Sequence, residues 1–293
     1  MRTNLTIKKG YMIKKIVLIV IMTVLSLSVQ ANEKTYKMVF VPASEKGDES
    51  DYASLISITE KLTGLKIETI KVTDYNAAVE AMRSGRAHIA WYGGKTYVKA
   101  AEIANAEAFA AGVRPGEKDA GYYTYFVVKK DSKLKEFSDV KGKILSLNTI
   151  GSTSGDLIPQ VELNKINLSI KNKEHFKKVY YAGSHDACLL AVLNNQSDVC
   201  GMSSRNFEAR LADGTFKKED VRIIHKSDRV PPPPLAYSKM IPIEDREKIK
   251  KAVLEAHNHG QIGGYGGKMS HYMEVNDSDY NVLREVIELL NKS

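Results

Sequence analysis

The chain has 293 residues, enough for one large domain or for two domains of roughly 100–150 residues each. With 43% hydrophobic and 27% charged residues, its composition is that of a folded protein and excludes a disordered or fibrous chain. The formal net charge is +8, but residues 1–31 hold five basic residues and no acidic one, which leaves a net charge of +3 for the rest. This balance argues against a polybasic nucleic-acid binder.

The N-terminus has the three parts of a secretory signal peptide. Lys14 and Lys15 precede an apolar run of about a dozen residues, and Ser28-Val-Gln-Ala31 supplies small or modest side chains at a cut after Ala31. Because a membrane-spanning helix needs roughly 20 apolar residues, cleavage is favoured over an uncleaved anchor. We expect residues 1–31 to be removed and the mature chain to be exported.

The first half of the mature chain alternates strands and helices. The pattern predicts strands over residues 36–41, 65–70 and 88–92, and helices over residues 52–62 and 75–82. This order predicts a mainly parallel sheet with helices on both faces. Ligands of such sheets bind beyond the carboxyl ends of the strands, beside helix N-termini.

A second series of elements repeats this pattern and predicts a second α/β lobe. Strands are predicted over residues 122–129, 142–147, 176–181, 197–202 and 221–224, and helices over 158–164, 186–193, 244–257 and 279–290. Four prolines at 231–234 form a stiff, extended link. With crossings near residues 125–130 and 222–232, lobe 1 is expected to hold residues 32–127 and 225–293, and lobe 2 residues 128–224.

The cysteines and the clustered histidines give no metal-site signal. Cys188 and Cys200 both lie in apolar context, and a disulfide and two buried free thiols are equal alternatives. His257, His259 and His271 are loosely spaced and no carboxylate pattern accompanies them. A Walker A motif and a G-x-G-x-x-G after a strand are both missing from the sequence, so we predict no metal and no cofactor.

The segment Gly151-Ser-Thr-Ser-Gly155 follows a predicted strand and opens a helix. Small residues allow backbone N–H groups to face an anion, and Ser152, Thr153 and Ser154 add three hydroxyl donors. Simple helix capping would need fewer hydroxyls, so the segment predicts an oxyanion site. It also resembles the G-x-S-x-G turn of hydrolases, but its central residue is a threonine, which weighs against a serine nucleophile.

Two other strand ends are expected to face the same cleft. His185 and Asp186 begin a helix after the 176–181 strand, where His185 is either a second anion contact, part of a triad with Asp186, or a solvent-facing residue. Tyr92 ends the third strand of lobe 1 and is either a ligand contact or a core aromatic residue.

Several segments together resemble the phosphate-, phosphite- and phosphonate-binding periplasmic proteins of ABC transporters. They are residues 73–82, 89–93, 151–155 with Pro159, 183–185, 191–192 and 198–199. The resemblance covers roughly residues 36–260 and implies a type II periplasmic-binding fold, with two α/β lobes that close on a ligand like a hinged trap. It implies that Ser152, Thr153, Ser154 and His185 of one lobe hold the oxyanion, together with Tyr92 and Tyr75 of the other.

The chain departs from the family pattern where aminoalkylphosphonate binders place carboxylates. Arg205 stands near the first of those positions, and the second falls in the uncharged proline run at 231–234. A cation in the cleft would suit extra negative charge, so Arg205 is taken as a ligand contact. Phosphate, phosphite, methylphosphonate or a carboxylated phosphonate is therefore the expected ligand.

The leading hypothesis is a periplasmic, non-catalytic receptor that delivers a phosphorus oxyanion to an ABC permease and its ATPase. It predicts a monomer with no nucleic-acid partner. The alternatives are an exported hydrolase that uses the 151–155 turn with His185, and a sensor that reports the same ligand to a membrane kinase.

Overall fold

The computed structural model describes residues 34–44 and 48–292. The signal peptide predicted over residues 1–31, with its cut after Ala31, lies outside the described residues. Across the described ranges, no helix is both long and apolar enough to cross a bilayer.

The first sheet combines strands from both ends of the chain. In spatial order these strands are β13 (His271–Glu274), β4 (Ala106–Val113), β10 (Leu235–Ser238), β3 (Ile89–Trp91), β1 (Thr35–Phe40) and β2 (Lys66–Ile70). Strands β2 and β3 run parallel to β1, whereas β10 is antiparallel to both β3 and β4, and β13 is antiparallel to β4. The three strands predicted for this half therefore run parallel, as expected. The sheet as a whole is mixed, because β10 and β13 enter it against the direction of the other four strands.

The second sheet is built from the middle of the chain. Its strands, in spatial order, are β7 (Lys178–Tyr181), β6 (Ile144–Leu147), β8 (Val199–Ser203), β5 (Thr124–Lys129) and β9 (Val221–Lys226). Strand β6 is parallel to β7 and β8, and β5 is antiparallel to β8 and β9.

Helices follow the strands of both sheets. Those associated with the first sheet are α1 (Asp48–Thr63), α2 (Tyr75–Arg83), α3 (Gly94–Ile103), α7 (Ile243–Glu255) and α8 (Asn281–Lys292). Those of the second are α4 (Ile158–Lys165), α5 (His185–Leu193) and α6 (Ser204–Ala212). A short hairpin of β11 (Ile262–Gly264) and β12 (Gly267–Met269) packs beside α1. The sequence analysis did not predict α3, α6, β4, β10, β13 or this hairpin.

Alternation along β5 shows how the second sheet is covered on both faces. Phe126 and Val128 pack in one hydrophobic cluster with Leu163 of α4, whereas Val127 packs in another with Leu189 of α5. Successive strand residues point to opposite faces, so a continuous apolar run fits a sheet that is buried on both sides.

The chain passes twice between the sheets, after β4 and after β9. The two passages, residues 114–123 and 227–234, are joined by reciprocal backbone hydrogen bonds between Tyr122 and Val230, of 3.1 and 2.8 Å. The boundaries predicted after residues 127 and 224 fall inside β5 and β9, which pair with other strands of the second sheet. We therefore propose that the lobes meet within the two passages, with lobe 1 around the first sheet and lobe 2 around the second.

The structure decides between the two alternatives for the cysteines. Cys188 of α5 and Cys200 of β8 form a disulfide that ties the helix to the sheet, with a Cα–Cα distance of 5.6 Å. This is a distance typical of disulfide-bonded residues.

Candidate functional site

A small cavity lies where the two lobes meet, beyond the carboxyl ends of β1 and β3. Lobe 2 contributes the 152–154 segment and the start of α5, and lobe 1 contributes the loop after β1, the start of α2 and the hairpin tip. The lining residues are Val41, Ala43, Tyr75, Trp91, Gly93, Tyr122, Ser152, Thr153, Ser154, His185, Pro233 and Tyr265. The structure thus brings together five of the seven predicted site residues, Tyr75, Ser152, Thr153, Ser154 and His185.

A single π-helical turn, Thr153–Leu157, begins within the 151–155 segment and leads directly into α4. Ser152 is its N-cap: the Oγ atom accepts a hydrogen bond from the Gly155 N–H at 3.1 Å and a second from Asn148 Nδ2 at 3.3 Å. A Cβ atom on Gly155 would lie 2.2 Å from the Cβ of Asn148 and 3.0 Å from the ring of His185. Glycine at 155 is therefore required for the turn to sit against the histidine.

Thr153 connects the turn to lobe 1. Its Oγ1 atom accepts a hydrogen bond from the Lys95 N–H at 2.9 Å, at the first turn of α3. The N-cap of α3 is Gly93, which has no side chain to satisfy that amide, so Thr153 supplies the cap from the other lobe.

Two more contacts surround this interlobe cap. The Nζ atom of Lys95 lies 2.5 Å from Oδ2 of Asp156, which is buried, and Thr96 donates its hydroxyl hydrogen to the Gly151 carbonyl at 2.9 Å. The start of α3 is thereby docked on the 151–156 segment.

His185 is 1% exposed and its imidazole orientation is set by the backbone. The Nδ1 atom accepts the Ser203 N–H at 3.2 Å, so the proton of the neutral ring resides on Nε2. Burial lowers the pKa of His185 to about 3, which keeps the ring neutral near pH 7. The residue is thus a neutral hydrogen-bond donor.

The same hydrogen bond bears on the alternative of a triad. In a triad the histidine donates from Nδ1 to a carboxylate, but here Nδ1 is an acceptor. Asp186 lies 3.6 Å from Arg210 instead. The hydrogen-bonding role of Nδ1 is therefore opposite to that of a triad histidine.

Aromatic side chains form the wall of the cavity opposite the hydroxyls. Trp91 of β3 is packed between Tyr52 and Tyr265, with ring centroids 5.8 and 4.7 Å away. Tyr122 forms side-chain hydrogen bonds with Ser154 and Thr153, and its burial raises the pKa of the phenol.

Sequence reasoning missed Trp91, Tyr122 and Tyr265 as lining residues. Tyr122 had a usable signal, since it stands at the entry to β5, where the chain passes between the lobes. Tyr265 had none, because the hairpin that carries it, 262–269, is far from the other site segments in sequence.

Tyr92, a predicted contact, does not line the cavity. Its side chain is fully buried in lobe 1, where the hydroxyl donates to the Ala78 carbonyl at 3.2 Å. Neighbouring strand residues point to opposite faces, so Trp91 and Tyr92 cannot both face the cleft. The structure places Trp91, rather than Tyr92, at the cavity.

Arg205, the other predicted contact outside the cavity, binds the first passage between the lobes. Its guanidinium, 2% exposed, donates to the carbonyls of Ala120 at 2.7 Å and Gly112 at 3.3 Å, and lies 3.6 Å from Glu117. Because α6 runs beside this passage, the long side chain reaches backbone oxygens there. Its guanidinium is therefore bound to backbone carbonyls of β4 and of the first passage and does not line the cavity.

No group of three or more His, Cys, Asp or Glu side chains suited to a metal ion occurs among the described residues. His257 and His271 have ring centroids 6.1 Å apart.

The profile of a family described as "ABC transporter, phosphonate, periplasmic substrate-binding protein" matches residues 38–280. The phosphonates-binding periplasmic protein of Escherichia coli (strain K12) is 29% identical over 230 residues, which are 72% of this chain and 66% of that protein, just under two thirds of its length.

Two solved structures share the fold. A binding protein component of an ABC phosphonate transporter from Pseudomonas aeruginosa has a TM-score of 0.76 at 22% identity, covering 89% of this chain and 87% of its own. PhnD1 from Prochlorococcus marinus (MIT 9301), in complex with methylphosphonate, has a TM-score of 0.73 at 20% identity, covering 89% and 99%. These likenesses confirm the predicted type II periplasmic-binding fold of two α/β lobes.

The two tyrosines give a direct test of the cavity. We expect Tyr122→Phe to weaken the binding of a small oxyanion, with methylphosphonate as the probe, roughly tenfold or more, because it removes a hydroxyl from the lining. The matched variant Tyr92→Phe should lose about 1 kcal/mol of unfolding free energy, with unchanged affinity. Titration calorimetry and urea unfolding measure both effects, and an affinity loss confined to Tyr92→Phe would contradict this assignment.

Burial of neutral His185 predicts a pH-dependent stability. The pKa of the folded state, about 3, lies below the ordinary value of about 6.5, so protonation favours the unfolded chain. The stabilisation is complete above pH 6.5 and is lost as the pH falls toward 3, amounting to roughly 2 kcal/mol between pH 7.5 and 5.

Urea unfolding between pH 7.5 and 5 measures this slope. We expect His185→Gln to reduce it, whereas His259→Gln, at an exposed histidine, should leave it as in the wild type. Equal slopes in all three proteins would show that His185 titrates normally.

Proposed function

The chain belongs to the family of periplasmic phosphonate-binding proteins of ABC transporters, and on that premise we propose that it captures a small phosphorus oxyanion between its lobes and delivers it to a membrane permease. The observation that supports this function best is the cavity itself. Its hydrogen-bonding groups come from both lobes, so neither lobe alone offers a complete site.

The proposed binding residues follow from the lining. Ser152, Thr153 and Ser154 donate hydroxyl hydrogens to the oxygens of the anion, and His185 donates from Nε2. Tyr75 and Tyr122 complete the site from the opposite side. We leave Tyr92 and Arg205 out of this set, because their polar groups are bound elsewhere.

The absence of charge among the described lining residues indicates the class of ligand. None of the described residues that line the cavity is charged, so a ligand ammonium group would meet no carboxylate there. The expectation of a carboxylated phosphonate loses its basis, since it depended on Arg205. Phosphite, phosphate and methylphosphonate suit the site better than 2-aminoethylphosphonate.

The wider role also belongs to this proposal. Residues 1–31 direct export and are removed after Ala31, and the mature protein acts as a monomer in the periplasm. An ABC permease with its ATPase receives the ligand, and nucleic acid is no partner.

A receptor role is favoured over the hydrolase alternative because Nδ1 of His185 accepts a backbone N–H and so cannot donate to a triad carboxylate. Incubation with ester and phosphate-ester substrates should release no product.

Two hydroxyls of the same loop allow a matched test of ligand binding. Thr153→Ala removes a donor to a charged group and should weaken methylphosphonate binding about ten- to a hundredfold. Thr149→Ala is the control, since the Thr149 hydroxyl is bound to the Gly183 carbonyl at 2.6 Å and does not line the cavity.

Titration calorimetry gives both affinities, and the chain's single tryptophan, Trp91, offers a fluorescence signal at the site. Measuring the affinities of methylphosphonate, phosphite, phosphate and 2-aminoethylphosphonate ranks these ligands by binding strength. Equal affinities for the wild type and Thr153→Ala would contradict the proposed site.

Lobe closure is the second testable consequence. Because the ligand contacts both lobes only when they meet, it should favour the closed form by its differential affinity for that form. Small-angle X-ray scattering should give a smaller radius of gyration with saturating ligand than without it. Superimposable curves would show a rigid cleft and argue against capture by closure.

A further inference from the structure

The direction of each hydrogen bond behind the cavity limits what its polar groups can offer a ligand. A hydroxyl has one hydrogen and two acceptor lone pairs. Both acceptor positions of Ser152 Oγ are used, by the Gly155 N–H at 3.1 Å and by Asn148 Nδ2 at 3.3 Å. Ser152 can therefore only donate to a ligand.

His185 is oriented as a donor. Its Nδ1 atom accepts the Ser203 N–H at 3.2 Å, which leaves Nε2–H as the donor. Thr153 is not restricted in this way, because among the described backbone amides its Oγ1 atom accepts only the Lys95 N–H, at 2.9 Å, and its hydroxyl also forms a hydrogen bond with Tyr122.

Trp91 adds a donor of a different kind. It is 2% exposed and lines the cavity, and its Nε1–H is buried with no hydrogen-bond partner among the described residues. An indole N–H can donate but cannot accept, and leaving it unpaired in the interior is unfavourable. A ligand oxygen in the cavity would satisfy it.

Three polar groups of the described lining, Ser152, His185 and Trp91, can therefore only donate to a ligand, and the lining includes neither a carboxylate nor a side-chain amide. Acceptors among its side chains are limited to the remaining hydroxyl oxygens. A ligand P–OH hydrogen directed at one of the three donors would leave that donor unpaired, whereas an ionised P–O⁻ oxygen accepts from it.

We propose that these three donors, Ser152, His185 and Trp91, select the fully deprotonated dianion of the phosphorus oxyanion, and that the Trp91 indole N–H donates to one of its oxygens. The inference rests on the function proposed above and specifies the charge state that the site recognises. Affinity is then expected to follow the fraction of ligand present as the dianion.

The protein's own titrating groups at the cavity stay constant over the range of the test. His185, whose pKa burial lowers to about 3, remains neutral above pH 5.5, and burial raises the pKa of Tyr122. Lys95 lies behind Thr153 and is paired with Asp156.

Calorimetric titrations of the wild-type protein between pH 5.5 and 8.5 test the charge state. Methylphosphonate affinity should rise about tenfold per pH unit below the second pKa of the ligand and become constant above it. Difluoromethylphosphonate is the control ligand, because its fluorines lower that pKa with little change in size, so its plateau should begin at a lower pH.

Three outcomes would overturn the inference. Affinity that is flat or falls with increasing pH shows that the monoanion binds as well as the dianion. A midpoint at one pH for both ligands shows that a protein group titrates. Both results leave the receptor function standing, whereas a lack of binding by either ligand at every pH contradicts the receptor function as well.

The role of the Trp91 indole N–H can be tested by replacing it with a sulfur atom. Since the chain has a single tryptophan, growth of a tryptophan auxotroph on β-(benzothien-3-yl)alanine exchanges the indole N–H for sulfur at this position in the mature protein. Methylphosphonate affinity at pH 8.5 should fall about ten- to a hundredfold.

The ligand-free protein provides the control for packing. Its melting temperature should stay constant or rise on this exchange, because an unpaired buried N–H has been removed. Unchanged affinity would overturn the assignment of Trp91 as a donor. A fall in the ligand-free melting temperature together with the affinity would show that the residue acts through packing.

Discussion

The hydrogen bond from the Lys95 amide to the Thr153 hydroxyl joins the lobes at the cavity, and much of the site depends on it. Helix α3 begins at glycines that cannot cap it, and Gly93 also leaves room for the hydroxyl: a Cβ there would lie 3.1 Å from Thr153 Oγ1. The contact joins the lobes through one side chain of the cavity lining. Thr153 thus links the start of α3 in lobe 1 to the hydroxyl cluster of lobe 2.

A second set of contacts between the lobes lies on the side of α6. Arg205 of that helix binds the carbonyls of Ala120 and Gly112, and Tyr265 of the hairpin donates its hydroxyl hydrogen to Asn206. Because these groups are buried, water does not compete with them. The arginine that a sequence reading places in the ligand site instead stabilises the approach of lobe 2 to the passage between the lobes.

The polar side chains of the described cavity lining are all uncharged. This arrangement avoids placing a full positive charge in a buried cleft, where its desolvation would be costly without a ligand. Burying neutral hydroxyl, imidazole and indole groups costs less free energy than burying a charged group. Backbone amides hold several of these groups in position. Selectivity then depends on which ligand atoms accept hydrogen bonds rather than on ion pairing.

The sequence by itself determined the alternating α/β pattern, the Ser152–Ser154 hydroxyl cluster at a strand end and the position of His185 at a helix start. These features depend on local periodicity and capping, which act over a few residues. Only the tertiary structure decided that Trp91 rather than Tyr92 faces the cavity, that Arg205 binds lobe 1, and that Tyr265 reaches the site. Those outcomes depend on strand facing and on the packing of segments distant in sequence, which local patterns do not encode.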